Sequence, residues 1–123
     1  MAETCSCSAA PTLFFPCSGG SNVGQLANDI SRQLAMEGHG KHFCLAGIGA
    51  HISGMVASAK AGSKIVAIDG CPLKCAAKTL AEANVPVTHS IVLTDWGVEK
   101  TYNLFPESEL VQKNKERLLA IID

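Results

Sequence analysis

Six of the 123 residues are cysteine, and their spacing decides which chemistry is open to the chain. Cys71-Pro72-Leu73-Lys74-Cys75 puts three residues between its thiols, not the two of a thioredoxin-like motif. Pro72 suits the first position of a helix. Cys71 is therefore expected at the N-cap and Cys75 one turn in, on about the same side. Both thiols then feel the positive end of the helix dipole, and Lys74 and Lys78 add charge, which favours thiolate. Thiolate is the form that ligates zinc or attacks a disulfide. Cys17 opens the run Ser18-Gly19-Gly20-Ser21-Asn22, and Cys44 sits inside the apolar run from His42 to Ala46. Cys5 and Cys7 belong to residues 1–10, which read as a flexible tail ahead of one domain over 11–123. For each cysteine the alternative to chemistry is burial as a small apolar side chain.

The loop after Cys17 offers a second chemistry. Ser18, Gly19, Gly20 and Asn22 precede a helical pattern, so their backbone N–H groups could cradle a small anionic ligand. The run matches neither GxxxxGK[ST] nor GxGxxG, and it lacks the arginine of a cysteine phosphatase. Its plainer reading is a tight turn with capping residues. His51, near a helix start, is a further candidate ligand, whereas His39, His42 and His89 read as surface residues. Asp69 can steer the Cys71 loop by accepting backbone N–H bonds. Trp96 reads as core or pocket wall, and the run Lys113, Lys115, Glu116, Arg117 as the solvated face of a last helix.

Composition narrows the setting. The net charge is −1 and aromatics are 5%, so the chain has neither the basic face nor the stacking side chains of a nucleic-acid binder. With 47% hydrophobic and 17% charged residues it is a folded domain, not a disordered chain. Met1-Ala2-Glu3 does not begin a secretory signal. Residues 42–59 lack Lys, Arg, Asp and Glu, but their glycines, serines and histidines argue against a membrane span. The expectation is a cytoplasmic protein without a membrane partner, in which cysteines serve as metal ligands or reactive thiols rather than as disulfides.

These residues need elements to place them. Thr12 to Pro16 reads as a buried strand. Val23, Leu26, Ala27, Ile30, Leu34 and Ala35 predict a helix over 23–37, ended by Gly38. A second strand is expected over His42–Ala46, a helix over Ile52–Ala61 and a third strand over Lys64–Ile68. A helix then runs from Pro72 to about Ala83, and a fourth strand covers Ser90–Thr94. Tyr102–Phe105 could add a short edge strand. The last helix covers Glu107–Ile122.

Four alternations of strand and helix indicate an α/β fold, a small three-layer domain with a parallel sheet of the Rossmann or flavodoxin kind. Ligands in such folds sit beyond the carboxyl ends of the strands, at the switch point. Cys17 follows the first strand, Gly47, Gly49 and His51 the second, Asp69, Cys71 and Cys75 the third, and Asp95 and Trp96 the fourth. Strand order 2-1-3-4 makes the first and third strands neighbours about 4.8 Å apart and brings Cys17 and Cys71 to adjacent ends. Order 3-2-1-4 separates them by two strands, so a shared site requires the first order.

Ile68-Asp69-Gly70-Cys71-Pro72-Leu73-Lys74-Cys75-Ala76 resembles the central motif of the DGC-domain family of zinc-binding proteins. The resemblance extends to Pro16-Cys17-Ser18-Gly19-Gly20-Ser21-Asn22-Val23-Gly24-Gln25 and to Phe43-Cys44-Leu45-Ala46-Gly47-Ile48-Gly49, and covers about residues 12–100. It implies zinc ligands at Cys17, Cys44, Cys71 and Cys75, and no particular reaction. The residues themselves agree on three of these. Cys44, two residues inside a strand, would lie about 7 Å below the other thiols, too far for zinc–sulfur bonds of about 2.3 Å. Either that strand ends early, or Cys5, Cys7, His51, Asp95 or a water completes the site. Besides zinc, the same thiols could serve redox or sulfur-transfer chemistry or hold an iron–sulfur cluster.

Overall fold

Side chains alternate between the two faces of a strand, and that parity divides the core. The computed structural model describes residues 10–123. Its elements are β1 (Thr12–Pro16), α1 (Asn22–Met36), β2 (Lys41–His42), α2 (Leu45–Gly49), α3 (Ser53–Lys60), β3 (Lys64–Asp69), α4 (Cys75–Glu82), β4 (His89–Val92), a 3-10 turn (Leu93–Trp96) and α5 (Ser108–Ile122). The strands form one all-parallel sheet in the order β2-β1-β3-β4, as the cysteine placement requires. Phe14, Val66 and Ile68 face α1 and α5, meeting Leu26, Ile30, Leu34 and Leu118. Leu13, Phe15, Ile65 and Ala67 face the other layer, meeting Ile48, Ala59, Ala76 and Leu80 from α2, α3 and α4. Each large side chain buried there contributes about 1.5–3 kcal/mol. Among the described residues no helix is long and apolar enough to cross a membrane.

α1 begins where its sequence says it should. Ser21 is the N-cap and its Oγ accepts from the Gly24 N–H at 3.1 Å. Gly38, at φ 89°, follows the helix in the left-handed region, where glycine is unstrained.

Other elements depart from expectation. β2 spans only Lys41–His42, and the apolar run after it turns into α2 with Cys44 as N-cap. The run is short enough to read as either strand or helix. Packing decides: a Cβ on Gly47 would lie 2.3 Å from Met55 Sδ, so the glycine lets α2 close onto the following segment. α4 begins at Cys75, not Pro72, and Cys71–Lys74 is a turn closed by Lys74 N–H donating to the Cys71 carbonyl at 3.1 Å. β4 stops at Val92, and Tyr102–Phe105 form no strand. Lys115 is not on a solvated face: it is 6% exposed and its Nζ lies 2.6 Å from Glu37 Oε2. Arg117 stays exposed and stacks on the Trp96 ring at 4.7 Å. Cys5, Cys7 and the rest of residues 1–9 lie outside the described residues.

Candidate functional site

The sheet's carboxyl margin collects the four described cysteines, all unbridged. Cys17 directly follows β1, and its N–H donates to the Ile68 carbonyl at 2.8 Å, so it stays in register with the end of β3. Cys71 lies two residues beyond β3 and Cys75 opens α4. Cys44 lies two residues beyond β2, because that strand ends early. The early end takes Cys44 out of the strand, one of the two outcomes left open for it. Cys17 and Cys71 are half-buried against the core, and Cys44 and Cys75 are exposed.

Asp69 organises this margin. Its carboxylate is 1% exposed and accepts from Ala76 N–H at 2.7 Å and Ala77 N–H at 3.1 Å. It thereby caps α4 from outside the helix, which a residue in the turn would otherwise do. Lys74, the residue before the helix, has φ 55° and makes no side-chain cap. The late start follows from this: helix N–H groups already satisfied by Asp69 leave Cys71–Lys74 free to form a turn. Burial pushes the Asp69 carboxyl up, while the two N–H bonds, Lys74 and Lys78 pull it the other way.

Glycines bring three backbone segments into contact. A Cβ on Gly70 would lie 2.6 Å from the Val23 carbonyl carbon, and one on Gly24 would lie 2.7 Å from both Gly19 N and O. The Cys17 loop, the start of α1 and the Asp69–Cys71 segment therefore stack backbone on backbone. Gly19 N–H donates to Cys17 Sγ at 3.3 Å. Burial nevertheless pushes the Cys17 thiol up, the Gly19 bond lowers it, and the charges of Cys75 and Asp69 push it further up.

The loop after Cys17 spends several of its donors within the chain. Ser21 N–H goes to the Gly19 carbonyl at 2.9 Å and Asn22 N–H to the Thr101 carbonyl at 3.0 Å. Gln25 Nε2 reaches back to the Ser18 and Gly19 carbonyls, at 3.1 Å each. Ser18 and Gly20 lie exposed at the loop's outer side. His51 is exposed at φ 57° after α2, and Asp95 is exposed in the 3-10 turn.

Zinc sets a geometric requirement that these residues meet only in part. Four thiols at one margin are the soft donors a structural zinc site uses. Among the described residues, however, no three His, Cys, Asp or Glu side chains are gathered closely enough to hold one ion. Beside the margin lies a cavity of about 480 Å3, walled by Cys44, Ser18, Asn28, His42, Phe43 and Thr79 among others. His42 Nδ1 lies 2.7 Å from Ser31 Oγ, and burial, then Arg32, holds the imidazole below its ordinary value.

One neighbour of Cys71 escapes any reading of local spacing. Lys100 donates from Nζ to Cys71 Sγ at 3.5 Å across 29 residues of sequence. No motif flags it, since it comes from the loop after the 3-10 turn.

The DGC domain profile matches residues 13–118. The chain is 37% identical over 111 residues to a Pseudomonas aeruginosa protein described as anaerobic and virulence modulator AnvM, covering 88% of this chain and 85% of that protein. No solved structure matches significantly.

Proposed function

The chain belongs to the DGC-domain family, and on that premise we propose that it binds a zinc ion through Cys17, Cys71 and Cys75, with Cys44 as fourth donor. The observation that supports this reading is placement. Each thiol follows a strand's carboxyl end or opens the helix beyond it, at one margin of the sheet. The thiols must turn inward to share an ion, because no three stand together in their present rotamers. No strand carries any of the four, so the rotation leaves the sheet intact. A zinc ion held by Cys17, Cys71 and Cys75 alone would keep an open, Lewis-acidic position, which Cys44 as fourth donor would close. The chain's own residues do the rest. Asp69 fixes the start of α4 and hence Cys75, Gly70 seats the Cys71 loop against α1, and Lys100 donates to the Cys71 sulfur. Cys17 must lose its proton to ligate, so binding strengthens as pH rises.

We place the protein in the cytoplasm, where unbridged thiols stay reduced. AnvM is described as an anaerobic and virulence modulator; a comparable regulatory role here would use a centre sensitive to oxidation or metal supply.

The Lys100–Cys71 contact favours a second reading, thiol exchange. In it the Cys71 thiolate attacks a disulfide R–S–S–R′, forming Cys71–S–S–R and releasing R′S−. The Cys75 thiolate then displaces RS−, leaving a Cys71–Cys75 disulfide.

Metal analysis of anaerobically purified protein separates the readings. One zinc per chain, lost in Cys71→Ser and Cys75→Ser, supports the proposal. A brown, iron- and sulfide-containing protein points to a cluster on the same ligands. A metal-free chain with one fast-reacting thiol points to exchange.

A further inference from the structure

Asn22 does work that its place in a glycine loop does not suggest. Its N–H donates to the Thr101 carbonyl at 3.0 Å, its Nδ2 donates to the Glu99 carbonyl at 2.7 Å, and its Oδ1 accepts from Thr101 N–H at 2.5 Å. Residues 99–101 are thus fastened across the start of α1. The middle residue of this strap is Lys100, whose ammonium lies 3.5 Å from Cys71 Sγ. Lys74 and Lys78 stand close enough on the other side to act on Asp69. The Asp69 carboxylate is buried and spends its oxygens on Ala76 and Ala77. Its charge is felt at Cys17, whereas the charged group in contact with Cys71 is the Lys100 ammonium.

We propose that the Cys71 site selects small anionic ligands, carboxylates or phosphates, and that Lys100, positioned by Asn22, sets that selectivity. The inference rests on the reading of Cys71 as a working thiol of the site. It does not require that the thiol's partner be zinc. The strap explains the geometry: a lysine on an untethered loop would spread its charge over many positions, whereas three hydrogen bonds with one asparagine fix the backbone on either side of this one and so the origin of its side chain.

The test compares two alkylating probes at Cys71 in the full-length reduced chain, iodoacetate (an anion) and iodoacetamide (neutral). Both react with the same thiolate, so their rate ratio cancels the thiolate fraction and reports the local field. Trypsin cuts after Lys74 and places Cys71 and Cys75 in separate peptides, so mass spectrometry reads each ratio. The iodoacetate-to-iodoacetamide ratio at Cys71 should fall about three- to fivefold in Lys100→Met. It should fall similarly in Asn22→Ala, which frees the strap, and hold in Lys100→Arg. The wild-type ratio should shrink toward the Lys100→Met value at about 1 M salt, where screening is nearly complete. An unchanged ratio in Lys100→Met, or an equal fall in Lys100→Arg, overturns the proposal. Zinc stoichiometry is measured separately. A chain without zinc that keeps the selectivity loses the metal reading alone, and a zinc-bound chain without selectivity loses this inference alone.

Discussion

Alanine at Gly70 would force a Cβ to 2.6 Å from the Val23 carbonyl carbon and 2.8 Å from Gly24 N, both backbone atoms that cannot step aside. Gly70→Ala should therefore cost about 3 kcal/mol in chemical denaturation and displace the Cys71 loop. The Asp-Gly-Cys triplet divides its labour: Asp69 caps, Gly70 seats, Cys71 presents a thiol. That division was partly legible, since a carboxylate before a cysteine loop can be expected to accept N–H bonds. Lys100 was not legible, because it reaches Cys71 from a loop whose path is set by tertiary contacts. His42, read as a surface histidine, is exposed, and its ring nitrogen meets the buried Ser31. Its folded value lies below its ordinary 6.5, so below that pH the unfolded chain binds more protons than the native one. Stability should fall as pH drops from 6.5 toward the folded value. His42→Gln should flatten that part of the profile in thermal melts.

At the scale of elements, α4 shows how a start signal can lie outside the helix. Pro72 pointed to a helix beginning at residue 72, the rule for a proline at a first turn. The capping group instead comes from the end of β3, and the helix begins at Cys75. Asp69→Ala would leave two N–H groups without that partner and should cost about 1–2 kcal/mol. In the metal-binding assay it should also weaken zinc retention, because Cys75 loses its fixed origin. β2 failed for a different reason. An apolar run of five residues fits strand and helix equally well, and only the close approach of Gly47 to Met55 resolves it. The difference takes Cys44 out of the strand and makes it the N-cap of α2. The junction of α1 and α5 carries Lys115, whose long stem is buried while Nζ meets Glu37 and Gln33. Glu37 is 44% exposed, so Lys115→Met, which keeps the stem, should change stability by less than about 1 kcal/mol.

Across the whole molecule, the thiols rest on a core that needs none of them to close. The parallel sheet follows from the alternation of strand and helix, and its order from the requirement that Cys17 and Cys71 end adjacent strands, so both were legible in the sequence. The two packed faces are built from aliphatic and aromatic side chains, with Cys17 and Cys71 only at the edge of one. Chelation should therefore leave far-UV circular dichroism unchanged and the chain folded, unlike a zinc finger, which unfolds without its ion. Loss of helical signal on chelation would show the metal to be structural. The shortness of β2 has a consequence for life in a crowded solution. Alternate residues of β1 turn their peptide groups toward opposite neighbours: Cys17 N–H bonds to β3, and the Phe14 carbonyl accepts from Phe43 on the β2 side. By that parity Pro16 turns toward the side where β2 has already ended. A proline there has no N–H to leave bare. Pro16 is itself buried, at the wall of the cavity beside Cys44, and a strand that displaced that wall would find one fewer donor to zip onto, a guard against fibrillar self-association. Pro16→Val would supply that donor and should raise the aggregated fraction in light scattering at high concentration.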